Sequence, residues 1–278
     1  MPPKGNASAE NQSVARALRI LNILAEHQEP LGVREIARQL EVAPSIAQRL
    51  IRTMANSGFV EQTGVTLRYA IGYKAFQIGN AFVGQNNLHT AVMPELYALA
   101  DQHINGFLAV RRDRNVVYLA TVQSHGPIAI NHRPGAQTFL HSTALGKALL
   151  AEMTDDDVRA LLARGPLPKL TPKTKVSVTQ LVAELRDVRR LGYAINDEEN
   201  REGVYSVGVV IRDSTGKAIA VLSGAVPSRG LGNRDRAKMI ELVSAAAHNT
   251  SRKLGAPNAD ASFGGRRPAT KAASRPRS

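Results

Sequence analysis

Four polar side chains that can donate hydrogen bonds are spaced to lie on one face of a short segment. In the segment that begins at Pro44, the spacing places Ser45, Gln48, Arg49 and Arg52 together on the side opposite a stripe of Ile46, Leu50 and Met54. Hydroxyl, amide and guanidinium groups donate hydrogen bonds to base edges and phosphates. This face carries no carboxylate that would repel a nucleic acid. The spacing therefore predicts an amphipathic helix whose polar face contacts DNA.

The elements around this helix are those needed to present it to a duplex. A helix is predicted over Val33–Leu40, followed by a turn at Glu41 and Val42. Pro44 suits the first position of the second helix, and Gly58 suits its end. Two short strands, 59–62 and 66–71, follow around Thr63 and Gly64. Helix, turn, helix and hairpin in this order indicate a winged helix-turn-helix, which inserts its second helix into the major groove.

Two arginines outside the second helix extend the predicted DNA surface. Arg68 lies on the hairpin, and Arg16 lies on a preceding helix, predicted over residues 13–27 with Ser13 as its cap and Val14, Leu18, Leu21 and Leu24 as its buried stripe. The alternative is a helical hairpin with a solvated polar face, because short amphipathic helix pairs are common. The hairpin directly after Gly58 favours DNA binding.

A second chemically suggestive segment is His141–Leu150, with the sequence HSTALGKALL. Ser142 and Thr143 are capping residues, and the small residues after them leave backbone N–H groups pointing outward from a helix start. Together with the helix dipole, these groups favour a carboxylate or another anion. The pattern is not a phosphate-binding P-loop, because GxxxxGK[ST] is absent. An ordinary capped helix is the alternative.

The sequence gives little indication of a catalytic site or a metal site. Asp197, Glu198 and Glu199 form a run of carboxylates, but neighbours on a strand end point in different directions. The seven histidines include no close pair, and the chain has no cysteine, so we expect no metal site and no disulfide. We expect no cofactor. The enzyme alternative, a metabolite-converting domain with an accessory DNA-binding domain, stays open at this point.

Charge and composition point to a polyanionic partner. The chain has 36 basic and 23 acidic residues and a net charge of +13, and residues 252–278 alone carry seven basic side chains against one acidic. DNA, RNA and anionic membranes all attract such a surface. No apolar run reaches the ~20 residues of a membrane span, and the N-terminus lacks an apolar signal-peptide core. We expect a cytoplasmic protein that does not enter a membrane.

The rest of the pattern predicts an α+β chain in five parts: a disordered N-terminus (1–12), the DNA-binding domain (13–72), a linker helix (73–87), a second domain (88–255) and a disordered basic tail (256–278). Phe76, Ile78, Ala81 and Phe82 form an apolar stripe on the linker, which we expect to pack on a partner subunit or on its own domain. In the second domain, helices are predicted over 88–103, 142–153, 155–163, 178–191 and 234–254, and strands over 106–110, 116–123, 127–132, 193–196, 204–212 and 218–226. Hairpin connections between these strands indicate an antiparallel sheet.

Taken together, these motifs resemble the IclR family of bacterial transcription regulators from about Ser13 to Leu254. The resemblance rests on SVARALRILNIL, LGVREIARQLEVAPSIAQRL and YAIG in the first half. In the second half it rests on HSTALGKALLAEM, LRDVRRLGYAINDEENREGV and AIAVLSGAVPSR. Order and spacing make the set strongly specific. The family implies a GAF-like effector-binding domain, dimers or dimers of dimers, and operator affinity altered by a small metabolite.

The resemblance also implies a pocket for a small carboxylic acid. Carried over by position, its residues here are Ala144, Leu145, Asn196, Ser206 and Ser223. This chain departs from the family pattern in three places. Asn196 replaces an acid, Ser206 replaces a cysteine, and Ala225 replaces a second serine. We therefore expect an acid effector whose polar contacts differ from those of better-known members, and a larger or aromatic acid is an alternative. His132, His141 and Ile130 lie nearby in the sequence.

Overall fold

The computed structural model describes residues 11–27, 29–64, 67–84, 87–124 and 132–257. The chain divides after residue 86 into two compact units. No helix in the described ranges is long and apolar enough to cross a membrane. Most of both predicted disordered tails lies outside the described residues.

The first unit has the predicted order of helices and hairpin. It consists of α1 (Gln12–Glu26), α2 (Val33–Leu40), α3 (Pro44–Asn56), β1 (Val60–Thr63), β2 (Arg68–Ile71) and α4 (Tyr73–Gly84). β1 and β2 form an antiparallel two-stranded sheet. An isolated bridge pairs Leu31 with Tyr69 and ties the segment before α2 to the hairpin. The helix-turn-helix with a wing is therefore present.

The start and the buried face of α1 differ from the prediction. Asn11 rather than Ser13 caps the helix, because its side chain accepts the N–H of Ser13 at 3.1 Å and that of Val14 at 3.3 Å. The helix buries Ile20, Ile23 and Leu24. Val14 and Leu18, predicted to be buried, are 55% and 57% exposed. The predicted stripe was wrong for Val14 and Leu18, whereas Leu24 is buried and Leu21 packs against the same core.

In α3 the buried stripe is also rotated relative to the prediction. Ala47, Ile51 and Met54 are buried, whereas Ile46 and Leu50 are only half-buried. The stripe follows the i, i+4, i+7 spacing, and Ile51 is its centre. The rotation leaves the predicted polar face exposed, because the centre of that face lies away from the stripe of Ala47, Ile51 and Met54.

The second unit is built on a six-stranded sheet in the order β5-β4-β3-β8-β7-β6, with every pairing antiparallel. Its elements are α5 (Asn87–Asp101), β3 (Asn105–Arg112), β4 (Asn115–Val122), β5 (Gln137–Phe139), α6 (Ala144–Ala151), α7 (Asp155–Leu162), α8 (Val178–Leu191), β6 (Ala194–Asp197), β7 (Val204–Arg212), β8 (Ala218–Pro227) and α9 (Asn233–Lys253).

The structure has one strand that the sequence did not predict. The strand expected over 127–132 lies outside the described residues, except for His132, which is not in a strand. The edge strand β5 follows at Gln137–Phe139 and was missed. Three residues are too few to show an alternating pattern.

Helices cover both faces of this sheet. One cluster of buried residues joins α5 and α9 to Leu108, Val207 and Leu222, among others. The other joins α6, α7 and α8 to Phe107, Ala109 and Val221. Adjacent residues of β3 therefore enter opposite cores, as expected for a strand buried on both faces. The α+β antiparallel prediction is confirmed.

Candidate effector pocket and DNA-reading helix

The start of α6 offers backbone donors to a cavity. The Thr143 hydroxyl accepts the N–H of Gly146 at 3.0 Å and donates to the carbonyl of Phe139 at 2.7 Å. Thr143 is therefore the cap, as predicted. Within the described residues, the N–H groups of Ala144 and Leu145 bond to no protein acceptor. They remain available to an anion, which the positive end of the helix dipole also favours.

A glycine in β7 lets this helix start lie directly against the sheet. A Cβ added at Gly208 would stand 2.6 Å from the carbonyl oxygen of Ala144 and 3.0 Å from the nitrogen of Leu145. Both distances are shorter than van der Waals contact allows. Gly208 therefore sets the approach of α6 to the sheet, a role that the sequence reading missed because no turn or motif marks it.

Between the helix start and the sheet lies a cavity of about 40 Å³. One wall is aromatic. The ring of His132 stacks on Tyr118 at 4.5 Å between centroids, with 10° between their planes, and meets Phe107 edge-on at 5.8 Å. Burial lowers the pKa of His132, and nearby Arg201 lowers it further. At neutral pH the imidazole is therefore uncharged.

The opposite wall is polar. The amide N–H of Asn196 donates to the Ser206 hydroxyl at 3.2 Å, and its Oδ1 accepts the N–H groups of Glu199 at 2.8 Å and Asn200 at 3.3 Å. Both acceptor positions of this side chain are thus occupied within the protein. The Ser223 hydroxyl donates to the carbonyl of Gly224 at 3.3 Å, which is a long bond. A ligand that approaches this wall meets mainly hydroxyl groups.

All five pocket residues inferred from the resemblance line this cavity. Sequence reasoning missed several others, because strands far apart in the chain bring them together. The cavity is lined by Phe107, Tyr118, His132, Thr143, Ala144, Leu145, Asn196, Asn200, Val204, Ser206, Ser223 and Ala225. Ile130 lies outside the described residues. His141 does not line the cavity, and its Nε2 donates to the carbonyl of Pro168 at 3.0 Å. Burial lowers its pKa.

A buried ion pair lies next to the polar wall. Lys147, fully buried on α6, bonds to Glu199 at 2.6 Å and to Glu184 at 2.7 Å. Lys175 completes the network by bonding to Glu184 at 2.9 Å. Burial raises the pKa of Glu199, although Lys147 acts in the opposite direction. Since Asn196 also holds the Glu199 N–H, the pocket and the ion pair share one loop.

The three consecutive carboxylates point in different directions, as predicted. Asp197 pairs with Arg236 at 2.9 Å, Glu198 with Lys173 at 3.0 Å, and Glu199 with Lys147. The shortest ion pair of each is with a different cation, although Lys173 also lies 3.7 Å from Asp197. All three carboxylates are thus engaged in ion pairs. Among the described residues, no group of three His, Cys, Asp or Glu residues could hold a metal ion.

In the first unit, the polar face of α3 is open. Ser45, Gln48, Arg49 and Arg52 are all exposed. None of these side chains forms an ion pair with a described residue. The side chains expected to read bases are therefore presented outward from a helix that Ile51 holds against the unit's core.

The two other predicted DNA contacts differ from each other. The Nε of Arg68 donates to the carbonyl of Pro30 at 2.7 Å, and its guanidinium pairs with Glu35 at 2.6 Å, while its side chain stays 41% exposed. Glu35 on α2 thus offsets part of the charge that Arg68 would bring to a phosphate, and its DNA contact stays a prediction. The pKa of Glu35 is lowered by the N–H of Gly32 and by Arg68. Arg16 is half-buried on α1.

A winged helix-turn-helix followed by a sheet domain with an enclosed polar cavity defines a ligand-responsive DNA-binding regulator. The comparisons identify the family. Residues 13–64 match the IclR helix-turn-helix domain, and residues 82–252 match the bacterial transcriptional regulator IclR C-terminal domain. The chain belongs to the IclR family of transcription regulators.

Curated relatives agree with this assignment. The transcriptional repressor IclR of Escherichia coli is 30% identical over 224 residues, covering 80% of this chain and 82% of the relative. The regulator BhcR of Paracoccus denitrificans is 30% identical over 253 residues, covering 90% and 89%. These relatives are regulators, which contradicts the enzyme alternative.

Solved structures of the family share the fold. An IclR transcriptional regulator from Alicyclobacillus acidocaldarius is 26% identical with a TM-score of 0.78, over 87% of this chain and 98% of that one. An IclR homologue from Microbacterium hydrocarbonoxydans in complex with 4-hydroxybenzoate has a TM-score of 0.79 at 21% identity, over the same shares. At that identity the likeness concerns the fold alone.

Proposed function

We propose that this regulator binds a small carboxylic acid in the cavity at the start of α6, and that the acid changes its affinity for the operator of a catabolic operon. The observation that carries the proposal is that two N–H groups without an acceptor among the described residues, from Ala144 and Leu145, converge with the hydroxyls of Ser206 and Ser223 around one cavity. The helix dipole and the N–H donors favour a carboxylate, and no Lys or Arg is among the described residues that line the cavity.

The size of the cavity favours a short acid. A cavity of about 40 Å³ holds roughly three or four water-sized groups, about the size of a short acid. An aromatic acid requires the Tyr118 and His132 rings to move apart. We therefore place acids of two to four carbons first, and an aromatic acid second, since the aromatic wall would stack on it.

DNA contact is assigned to Ser45, Gln48, Arg49 and Arg52 on α3, with Arg16 as a phosphate contact. We propose that the chain acts as a dimer or a dimer of dimers in the cytoplasm. In the first unit, Tyr73, Phe76 and Ile78 of α4 are 62%, 56% and 50% exposed, and such apolar groups favour burial on a second copy.

Titration by calorimetry and an operator-binding assay test the proposal together. A panel of short and aromatic acids is titrated into the full chain and into Ser206→Ala, which should weaken binding by about 0.5–1.5 kcal/mol if the hydroxyl bonds to the acid. Operator affinity without acid should be unchanged in the variant. Normal binding of the cognate acid both to Ser206→Ala and to Leu145→Pro, which removes a backbone donor, would show that this cavity is not the site.

A further inference from the structure

The sheet of the second unit opens into a cleft at one end, away from the effector pocket. Pairing between β3 and β8 stops at Ala109 and Val221. Each strand nevertheless continues with its other neighbour, β3 as far as Arg112 opposite Asn115, and β8 from Ala218 opposite Arg212. The two hairpins therefore separate, and the facing edges of β3 and β8 are not paired with each other there.

This separation produces a cleft of about 410 Å³, within the range of small-molecule sites. Its apolar part includes Val110 from β3, Leu149 from the C-terminal end of α6, and Met153 just after that helix. Its charged part comes from the ends of both hairpins. The cleft is lined by Val110, Arg111, Arg112, Leu149, Glu152, Met153, Arg212, Gly216, Lys217, Ala218 and Ile219. None of these residues lines the effector pocket.

The lining carries four cations and one anion, and that anion is already neutralised. Glu152 forms a two-bond ion pair with Arg212, at 2.8 and 2.7 Å. Arg111 and Arg112 donate only to main-chain oxygens, at 3.3 and 3.2 Å, and form no salt bridge with a described residue. Lys217 likewise forms no salt bridge within the described chain. Arg111 and Arg112 are thus left without an acidic partner among the described residues, whereas the charge of Lys217 also interacts with the Asp213 carboxylate in the turn between β7 and β8.

We propose that this cleft binds an organic polyanion, bearing at least two carboxylate or phosphate groups, as a second ligand distinct from the effector acid. Two arginines and a lysine on different hairpins match separated negative groups, since guanidinium binds carboxylate and phosphate in a two-bond geometry. The apolar part of the cleft accommodates a carbon skeleton. α6 joins the two sites, because Ala144 and Leu145 border the pocket and Leu149 borders the cleft.

Calorimetric titration of the full chain at 0.15 M salt tests this assignment. The probes are citrate as a polycarboxylate, pyrophosphate as a polyphosphate, and acetate as a single charge. Citrate or pyrophosphate should bind, and which of them binds more tightly distinguishes carboxylate from phosphate. The double variant Arg112→Gln with Lys217→Gln should weaken that binding by about tenfold or more. The double variant should bind acetate as the unaltered chain does.

Two controls separate the cleft from bulk charge and from the effector pocket. Arg234→Gln with Lys238→Gln removes the same charge from exposed positions of α9 and should leave polyanion affinity within about twofold. Ser206→Ala should also leave it unchanged. Equal losses in both double variants, loss in Ser206→Ala, or no binding of either polyanion would each overturn the proposal. Failure of the effector proposal alone would leave these results intact.

Discussion

At the scale of single residues, the proposed DNA-reading face consists of side chains that make no ion pair with a described residue. Gln48→Ala or Arg52→Ala should weaken binding to a specific operator by about 1–3 kcal/mol and relax its sequence preference, because each loses donors to a base edge or a phosphate. Binding to the operator and to a scrambled duplex measures both effects. Arg159→Ala, an exposed arginine of the second unit, is the control. Unchanged specific binding in both α3 variants would show that another face reads the DNA.

The buried Lys147 makes a different kind of residue-scale prediction. Lys147→Met leaves the buried Glu199 with only the more distant Lys175, at 3.8 Å, and should destabilise the protein by about 3–5 kcal/mol. Denaturant unfolding measures the loss. Lys147→Met combined with Glu199→Gln should recover part of it, because the uncompensated charge is gone.

The same variant should show a characteristic pH dependence. Burial already raises the pKa of Glu199 above 4.5, and loss of Lys147 raises it further. A carboxyl whose pKa is higher in the folded state stabilises the protein below its unfolded pKa, and that contribution is lost as pH rises through the folded value. The deficit of Lys147→Met relative to wild type should therefore shrink as pH falls towards the ordinary glutamate range. A deficit independent of pH would indicate lost packing rather than a buried charge.

At the scale of elements, the contact of α6 with β7 places the backbone donors of the pocket. Gly208→Ala forces a Cβ to within 2.6 Å of the Ala144 carbonyl, so α6 must move away from the sheet. We expect a loss of about 1–3 kcal/mol in the free energy of unfolding and weaker acid binding. Thermal unfolding and acid titration measure the two effects.

Gly79→Ala, a glycine-to-alanine change in α4, is the control for Gly208→Ala. A Cβ at Gly79 in α4 meets nothing within 4 Å, and alanine favours a helix interior by roughly 0.5–1 kcal/mol. The control should therefore be neutral or stabilising and should bind acid normally. If Gly208→Ala behaves in the same way, the close approach of α6 does not control the pocket.

At the scale of the whole molecule, positive charge is concentrated at the C-terminal end. Residues 258–278 carry Arg266, Arg267, Lys271, Arg275 and Arg277 against Asp260. Removing them should lower non-specific DNA affinity and flatten its salt dependence, while sequence preference stays the same, because phosphate contacts carry no sequence information. Truncation after Pro257 retains the bond from the Ala256 N–H to the Ser251 carbonyl at the end of α9.

Affinity measured at several salt concentrations on specific and scrambled duplexes tests this prediction. A chain of the same length with the five basic residues changed to Gln separates charge from length. An unchanged salt slope in both forms would exclude the tail from DNA binding.

The pattern of residues close together in the sequence was enough to predict most of the helices and strands and the class of protein. Pro44, the turn at Glu41 and the hairpin after Gly58 act within a few residues, so the winged helix-turn-helix was predictable from spacing. The caps of α6 and the hairpins of the sheet are equally local. Charge along the chain indicated a polyanionic partner, and the order of motifs indicated the family.

Tertiary structure decided which faces and partners those elements use. The burial of Ile51, the ion pair of Arg68 with Glu35 and that of Lys147 with Glu199 depend on neighbours far along the chain. The polar wall of the pocket follows from strand register, which places Asn196 opposite Ser206. Periodicity shows that a residue lies on a face of a helix or strand, but only packing determines what that face meets, because burial and pairing free energies are set by residues remote in sequence.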